Sequence, residues 1–280
     1  MKVGLVLEGG AMRGMFTAGV LDVFLDENIQ IDGIVSVSAG ALFGVNFPSQ
    51  QKGRALRYNK QFLGDKRYIG WHSLLTTGNI VNKVFAFYEL PFVHDVFDNA
   101  TFKQSGIDFY ATVTNVETGL AEYIKITDPF AQIEVLRATS AMPYVSQFVE
   151  IEGKKYLDGG IADSIPLTFC QSLGFDKIIV VLTRPFDYRK PPSNPLLSKL
   201  FYHRYPNLIH TLQNRYREYN QQVEKVIAER EKGTIFVLRP SQTLPIKRIE
   251  KDLNKIQAMY DLGVADATRE MPALQAYLAT

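Results

Sequence analysis

The chain has 280 residues, 46% of them apolar and 21% charged, the balance of a globular protein able to bury a sizeable core. Its net charge of +2 argues against a nucleic-acid partner, and a single cysteine, Cys170, excludes an intrachain disulfide and a thiolate zinc site. The N-terminal apolar run is too short for a secretory signal, and no apolar stretch approaches the roughly 18 residues that span a bilayer. The expectation is a soluble, cytoplasmic protein.

Val3–Leu7 reads as a buried strand that runs into a glycine-rich turn, Glu8–Gly14. Val20, Leu21, Phe24 and Leu25 then recur at helical spacing, predicting a helix from about Phe16 to Asp26. A second buried strand, Gly33–Val37, passes into a helix beginning at Ala39. Strand, turn, helix, strand and helix in this order predict a mainly parallel α/β sheet flanked by helices, because parallel neighbours need a crossover.

Residues 52–104 read as helical and irregular, with their many aromatics lining a core or pocket. Asp108–Asn115 and Ala121–Thr127 alternate around Glu117-Thr118-Gly119 and predict a hairpin. A short helix follows near Phe130–Ala138, then strands Gln147–Ile151 and Lys155–Leu157 around a turn, and an apolar strand Asp176–Thr183. Cys170 reads as a small apolar residue in a helix. Beyond Thr183 the prolines Pro185, Pro191, Pro192 and Pro195 mark a linker or lid. A long polar helix from about Asn207 to Glu231, a strand Ile235–Leu238 and two closing helices complete the chain.

Three turns carry chemistry. In the first, Gly9 and Gly10 let backbone approach a ligand and present N–H groups to a negative oxygen. A dinucleotide or phosphate loop is the rival reading. Gly-Gly-x-x-x-Gly is not the dinucleotide spacing, no Gly-Lys-Ser/Thr follows, and Glu8 would place a carboxylate at the mouth, so an oxyanion hole suits the turn better. In the second, Ser38 stands where a strand turns into a helix through small residues, which lifts its hydroxyl out of the sheet as a nucleophile requires. In the third, Asp158 ends a strand before Gly159 and Gly160. Alone it is a tight turn with Asp158 accepting backbone N–H groups; combined with Ser38, it reads as the base.

The order and context of these turns resemble the patatin-like phospholipase family, in its bacterial, serine–aspartate form. The likeness rests on Glu8–Gly14 with its Arg13-Gly14 ending, on Ser36–Gly40, and on Asp158–Gly160. Arg137–Pro143 and Thr114–Gly119 agree with it, as does a short stretch around Tyr260–Ala267. The resemblance implies an α/β/α sandwich over residues 3–183, with residues 184–280 as a lid and a mainly helical region packed on it. It implies a Ser38–Asp158 dyad, amides of Gly9, Gly10 and Ala11 as the oxyanion hole, lipid esters as substrates, an acyl-enzyme intermediate, and no cofactor or metal. Arg13, Gly14, Ser36, Gly40, Gly159 and Gly160 are then supporting residues of the three motifs. Transfer or thioester cleavage at the same site, and a non-catalytic lipid- or nucleotide-binding module, are the alternatives.

Two residues depart from the family pattern. Ser36 stands where the serine turn usually has its first glycine, and Ala11 where the oxyanion motif often has one. If the backbone at Ala11 needs a positive φ, alanine costs about 1 kcal/mol there. Ser36 is a second candidate nucleophile, less favoured than Ser38. A triad through His203 or His210 matches the order of another hydrolase fold, but both lie in a basic, aromatic stretch that reads as surface or packing. That stretch, residues 184–217, holds seven basic residues against one acid, interleaved with aromatic and aliphatic side chains. It is a candidate for transient contact with an anionic membrane surface, against the plainer reading of a solvated helix with one buried stripe.

Overall fold

In the computed structural model, which describes residues 1–280, the first two strands, β1 (Val3–Leu7) and β2 (Gly33–Val37), are buried at every position. Both are apolar runs rather than alternating ones, as parallel strands covered on both faces must be. Between them the glycine turn closes into one turn of 3-10 helix, Ala11–Gly14, and then α1 (Met15–Asp26). α2 (Ala39–Gly44) leaves β2 with no connecting loop. The helical region that follows holds α3 (Arg54–Phe62), α4 (Trp71–Thr77), a wide π-helical segment at Phe85–His94 that contains Pro91, and α5 (Asn99–Gln104).

The expected hairpin is β3 (Asp108–Asn115) with β4 (Ala121–Ile126). After it come α6 (Ile133–Thr139), the short β5 (Val149–Ile151) and β6 (Lys154–Asp158), α7 (Leu167–Ser172) with Cys170 buried, and β7 (Lys177–Val181). The C-terminal part holds α8 (Pro195–Tyr202), α9 (Pro206–Glu231), β8 (Phe236–Leu238) and α10 (Leu253–Ala279). One continuous final helix of 27 residues stands where the sequence reads as two.

All eight strands form one sheet in the order β5-β6-β3-β2-β1-β7-β8, with β4 also paired to β3. The run from β3 to β8 is parallel, and β4, β5 and β6 add antiparallel pairs at the other side. Alternate residues of each strand feed opposite cores. Leu5 and Leu7 join Phe16 and Phe24 of α1 and Met259 of α10, whereas Val6 and Val180 join Val223 and Val226 of α9. The architecture is therefore the expected α/β/α sandwich, with β8 extending the sheet from within the C-terminal region. No helix is long and apolar enough to cross a membrane.

Register decides what meets at the strand ends. Val37 pairs with Thr112 of β3, and Asp158 pairs with the adjacent Val113 from the other side. The residue after β2 and the last residue of β6 are thereby brought together across β3, at the C-terminal end of β2, although 120 positions separate them in sequence. Parallel sheets place ligands at this end of their strands.

Candidate active site

Ser38 takes φ 53° and ψ −122°, a conformation that L-residues adopt only under strain, between the last residue of β2 and the first of α2. Such a turn reverses the chain within one residue and projects the side chain above the sheet. Gly40 makes it feasible, since a Cβ there would lie 2.7 Å from the Leu7 carbonyl and 2.9 Å from that of Glu8. Ser38 Oγ donates a 2.7 Å hydrogen bond to Asp158 Oδ2. Both residues are nearly closed to solvent, at 9% and 5% exposure.

The pair is held from several sides. The Ser38 amide donates to Thr139 Oγ1 at 2.9 Å, and that hydroxyl donates to the Thr112 carbonyl at 2.6 Å. Asp158 Oδ1 accepts the Gly160 amide at 2.8 Å, and the Asp158 amide donates to the Ala141 carbonyl. Both carboxylate oxygens are thus occupied, one by backbone and one by the serine. Burial pushes the Asp158 pKa up, while the Arg215 charge, the Ser38 and Gly160 hydrogen bonds and Lys190 pull the other way. The outcome is a carboxylate more basic than usual.

The glycine turn packs directly on the serine. A Cβ on Gly9 would sit 3.2 Å from the Ser38 Cβ, a crowded contact that glycine avoids. The amides of Gly9, Gly10 and Ala11 donate to no other atom of the chain. Ala11 has φ 49°, the positive value whose cost the sequence anticipates. The Arg13 amide donates to the Gly10 carbonyl, and Gly14 packs against Ala39 and Phe43 at the start of α2. Gly159 lies on β3, where a Cβ would meet the Thr112 carbonyl.

Glu8 corrects one sequence argument. Its carboxylate does not sit at the mouth of the turn. It is buried, where it accepts from the Thr183 amide at 2.5 Å and from the Tyr219 hydroxyl at 2.8 Å. Burial raises its pKa against those hydrogen bonds. Glu8 therefore ties the end of β1 to the end of β7 and to α9, and its charge leaves the loop free to meet an anion.

Ser36 is fully buried and its hydroxyl donates to the Tyr110 carbonyl at 2.8 Å, which removes it as a nucleophile. Neither His203 nor His210 shares a hydrogen bond with Ser38 or Asp158; His210 lies against Asn214 on the exposed side of α9. Within the basic stretch 184–217, Lys190 and Arg215 turn inward instead of facing solvent. Arg215 Nε donates to the Gly160 carbonyl at 2.5 Å, and Lys190 Nζ lies 4.1 Å from the centre of the Tyr219 ring. Sequence reasoning assigned neither of them to the site, nor Thr139. The signal for Thr139 was the Arg137–Pro143 stretch; for Arg215 no local pattern exists.

Ser38 and Ala11 line a cleft of about 1030 Å3, its open mouth included. Leu42, Phe43, Phe87, Leu90, Phe130 and Leu136 are among its walls, so the π-helical segment and α2 supply much of the lining. Its lining is mostly apolar, with the Ser38 hydroxyl and the Ala11 end of the glycine turn in its wall. Such a cleft can take a hydrocarbon chain and hold a carbonyl beside Ser38.

Comparison with known proteins agrees in outline. Residues 205–279 match the profile of a domain of unknown function (DUF6363). The uncharacterized protein YjjU of Escherichia coli is 28% identical over 275 residues, covering 94% of this chain and 75% of that protein. The lysophospholipase NTE1 of Chaetomium globosum is 27% identical over 204 residues, covering 69% of this chain but only 12% of its own length. VipD from Legionella pneumophila, a solved structure, aligns over 97% of this chain and 67% of its own with a TM-score of 0.46 and 13% identity. The profile described as patatin-like phospholipase matches residues 5–170, more than half of the chain, and the chain belongs to that family.

Proposed function

We propose that the protein is a serine hydrolase that cleaves carboxylic esters of lipids, with residues 3–183 carrying the chemistry and residues 184–280 covering it. The observation that carries this reading is the 2.7 Å hydrogen bond to a buried carboxylate from Ser38 Oγ, on a serine that lines an apolar cleft. Ser38 Oγ attacks the ester carbonyl while its proton passes to Asp158. The tetrahedral oxyanion is met by amides of Gly9, Gly10 and Ala11. Asp158 returns the proton to the departing alcohol, leaving an acyl-serine; water then attacks, gives a proton to Asp158, and the fatty acid leaves as the proton returns to Ser38.

An ordinary aspartate is a weak base for a hydroxyl. Burial that raises Asp158 improves the match, and the oxyanion donors supply a further share, roughly 2.7–4 kcal/mol for each such donor where one has been removed elsewhere. Family membership and the lysophospholipase named among the relatives support the substrate class. The test is a pair of variants with a p-nitrophenyl ester and a fluorophosphonate probe. Ser38→Ala loses turnover by about a thousandfold or more and loses labelling; Ser36→Ala keeps both. Undiminished turnover in Ser38→Ala overturns the assignment.

A further inference from the structure

Five basic side chains, Arg13, Arg184, Lys190, Arg215 and Arg248, surround the site, and none of them makes an ion pair. Geometry gathers them: Arg215 holds the Gly160 carbonyl beside Asp158, and Arg248 lines the cleft with Ser38. Lys190 lies over the Tyr219 ring, and Arg184 lies over Tyr188, whose ring packs on Tyr219. Arg13 is influenced by Arg184 and Arg248, Lys190 by Arg215 and Arg248, and Arg215 by Arg248, each neighbour opposing the other's charge. The acids that act on Arg13, Lys190 and Arg215 are Glu8 and Asp158, and both are committed to other hydrogen bonds. Arg13 Nε is buried and donates to nothing in the chain. Arg248 lines the same cleft as Ser38, and the Met12 amide donates to its carbonyl.

Like charges gathered in a partly buried site repel one another and lose hydration, which a fold tolerates when an anion comes to them. The chemistry that suits several guanidinium groups and an amine is a phosphate, which offers oxygens for many donors at once. Four of the five residues, all but Arg13, lie outside the stretch that matches the family, and Arg215 and Arg248 fall within the domain of unknown function.

We propose that Arg184, Lys190, Arg215 and Arg248, with Arg13, bind the phosphate of an anionic lipid headgroup while the acyl chain occupies the apolar cleft. The preferred substrates are then acyl esters with an exposed phosphate monoester rather than a zwitterionic headgroup. This rests on the hydrolase reading for turnover but not for binding. Burial and then the Arg215 charge pull the Lys190 ammonium down to about 6, against the opposing pull of Glu8 and Asp158. An arriving phosphate raises that pKa again, so binding favours the charged amine.

Two measurements test the assignment on the full chain. Turnover of an acyl-glycerol phosphate is compared with that of the acyl-glycerol phosphocholine of the same chain, with a p-nitrophenyl ester run beside them. The expected kcat/KM ratio favours the phosphate by about tenfold or more, and Lys190→Gln with Arg248→Gln removes most of that preference through KM. Calorimetry on Ser38→Ala compares hexadecyl phosphate, hexadecylphosphocholine and inorganic phosphate, in that expected order of affinity. Equal affinity for the two lipids overturns the proposal, and inorganic phosphate binding as tightly as hexadecyl phosphate overturns it in favour of a free-phosphate site. Loss of all ester turnover with the calorimetric order intact sinks the hydrolase reading and leaves the phosphate site standing.

Discussion

Arg215 stands between two roles that a single substitution separates. Its guanidinium holds the Gly160 carbonyl, and its charge is the strongest of the influences that restrain the Asp158 pKa against burial. On the proposed mechanism Asp158 takes the Ser38 proton only when ionised, so kcat/KM is expected to fall as pH drops through its raised pKa. Removing the nearby positive charge disfavours the carboxylate and moves that pKa up further. Arg215→Gln therefore shifts the acid limb of the kcat/KM profile to higher pH, while Arg215→Lys, which keeps the charge, shifts it less. An unmoved limb with uniformly lower activity would mean that Arg215 acts only by holding the Gly160 carbonyl. The same residue marks how far the sequence could be read. The turns at Ser38, at Asp158 and after β1 were legible as turns because each ends a strand with its own local residues. Arg215 meets Gly160 across 55 positions, and Tyr219 meets Glu8 across 211, and contacts of that span leave no pattern in either neighbourhood.

Elements with one strong period were readable in the same way. β1, β2 and β7 are short apolar runs, and β3 with β4 alternates around a turn. The π-helical segment was not, because its residues do not recur at the α-helical period and its Pro91 reads as a break. α8 shows what the basic stretch does once two of its cations have turned inward. Ser198 and Tyr202 are buried, and the opposite face carries Leu196, Leu197, Leu200 and Phe201, with Leu196 70% and Leu200 73% exposed. Exposed apolar residues beside Lys199 and Arg204 suit the boundary of an anionic bilayer. The protein is expected to sediment with anionic vesicles more than with neutral ones, and the double substitution Leu196→Ser with Leu200→Ser is expected to lower recovery with both. Equal recovery of the unaltered protein with both vesicles would count against an interfacial role for α8.

At the scale of the whole molecule, the C-terminal region is joined to the site through α10 and α1, which cross at two glycines. A Cβ on Gly263 would lie 2.2 Å from the Phe16 carbonyl, and one on Gly19 2.3 Å from that of Tyr260. The Tyr260 hydroxyl also donates to Asp22 on α1 at 2.6 Å. This close seam explains why the last helix runs unbroken through Gly263: the lost helix propensity is offset by backbone contact across the seam. α1 begins one residue after Gly14, so the seam also sets where the glycine turn lies against Ser38. Gly263→Val cannot be absorbed by a side-chain movement, because the opposing atom is backbone. It is expected to separate the helices and destabilise the fold by about 1–3 kcal/mol, read as a lower urea midpoint. Displacing α1 moves the proposed oxyanion amides while leaving the Ser38–Asp158 hydrogen bond in place, so ester turnover in the folded variant is expected to fall more than fluorophosphonate labelling of Ser38 slows. A variant as stable and as active as the parent would show that the seam fixes neither the fold nor the turn.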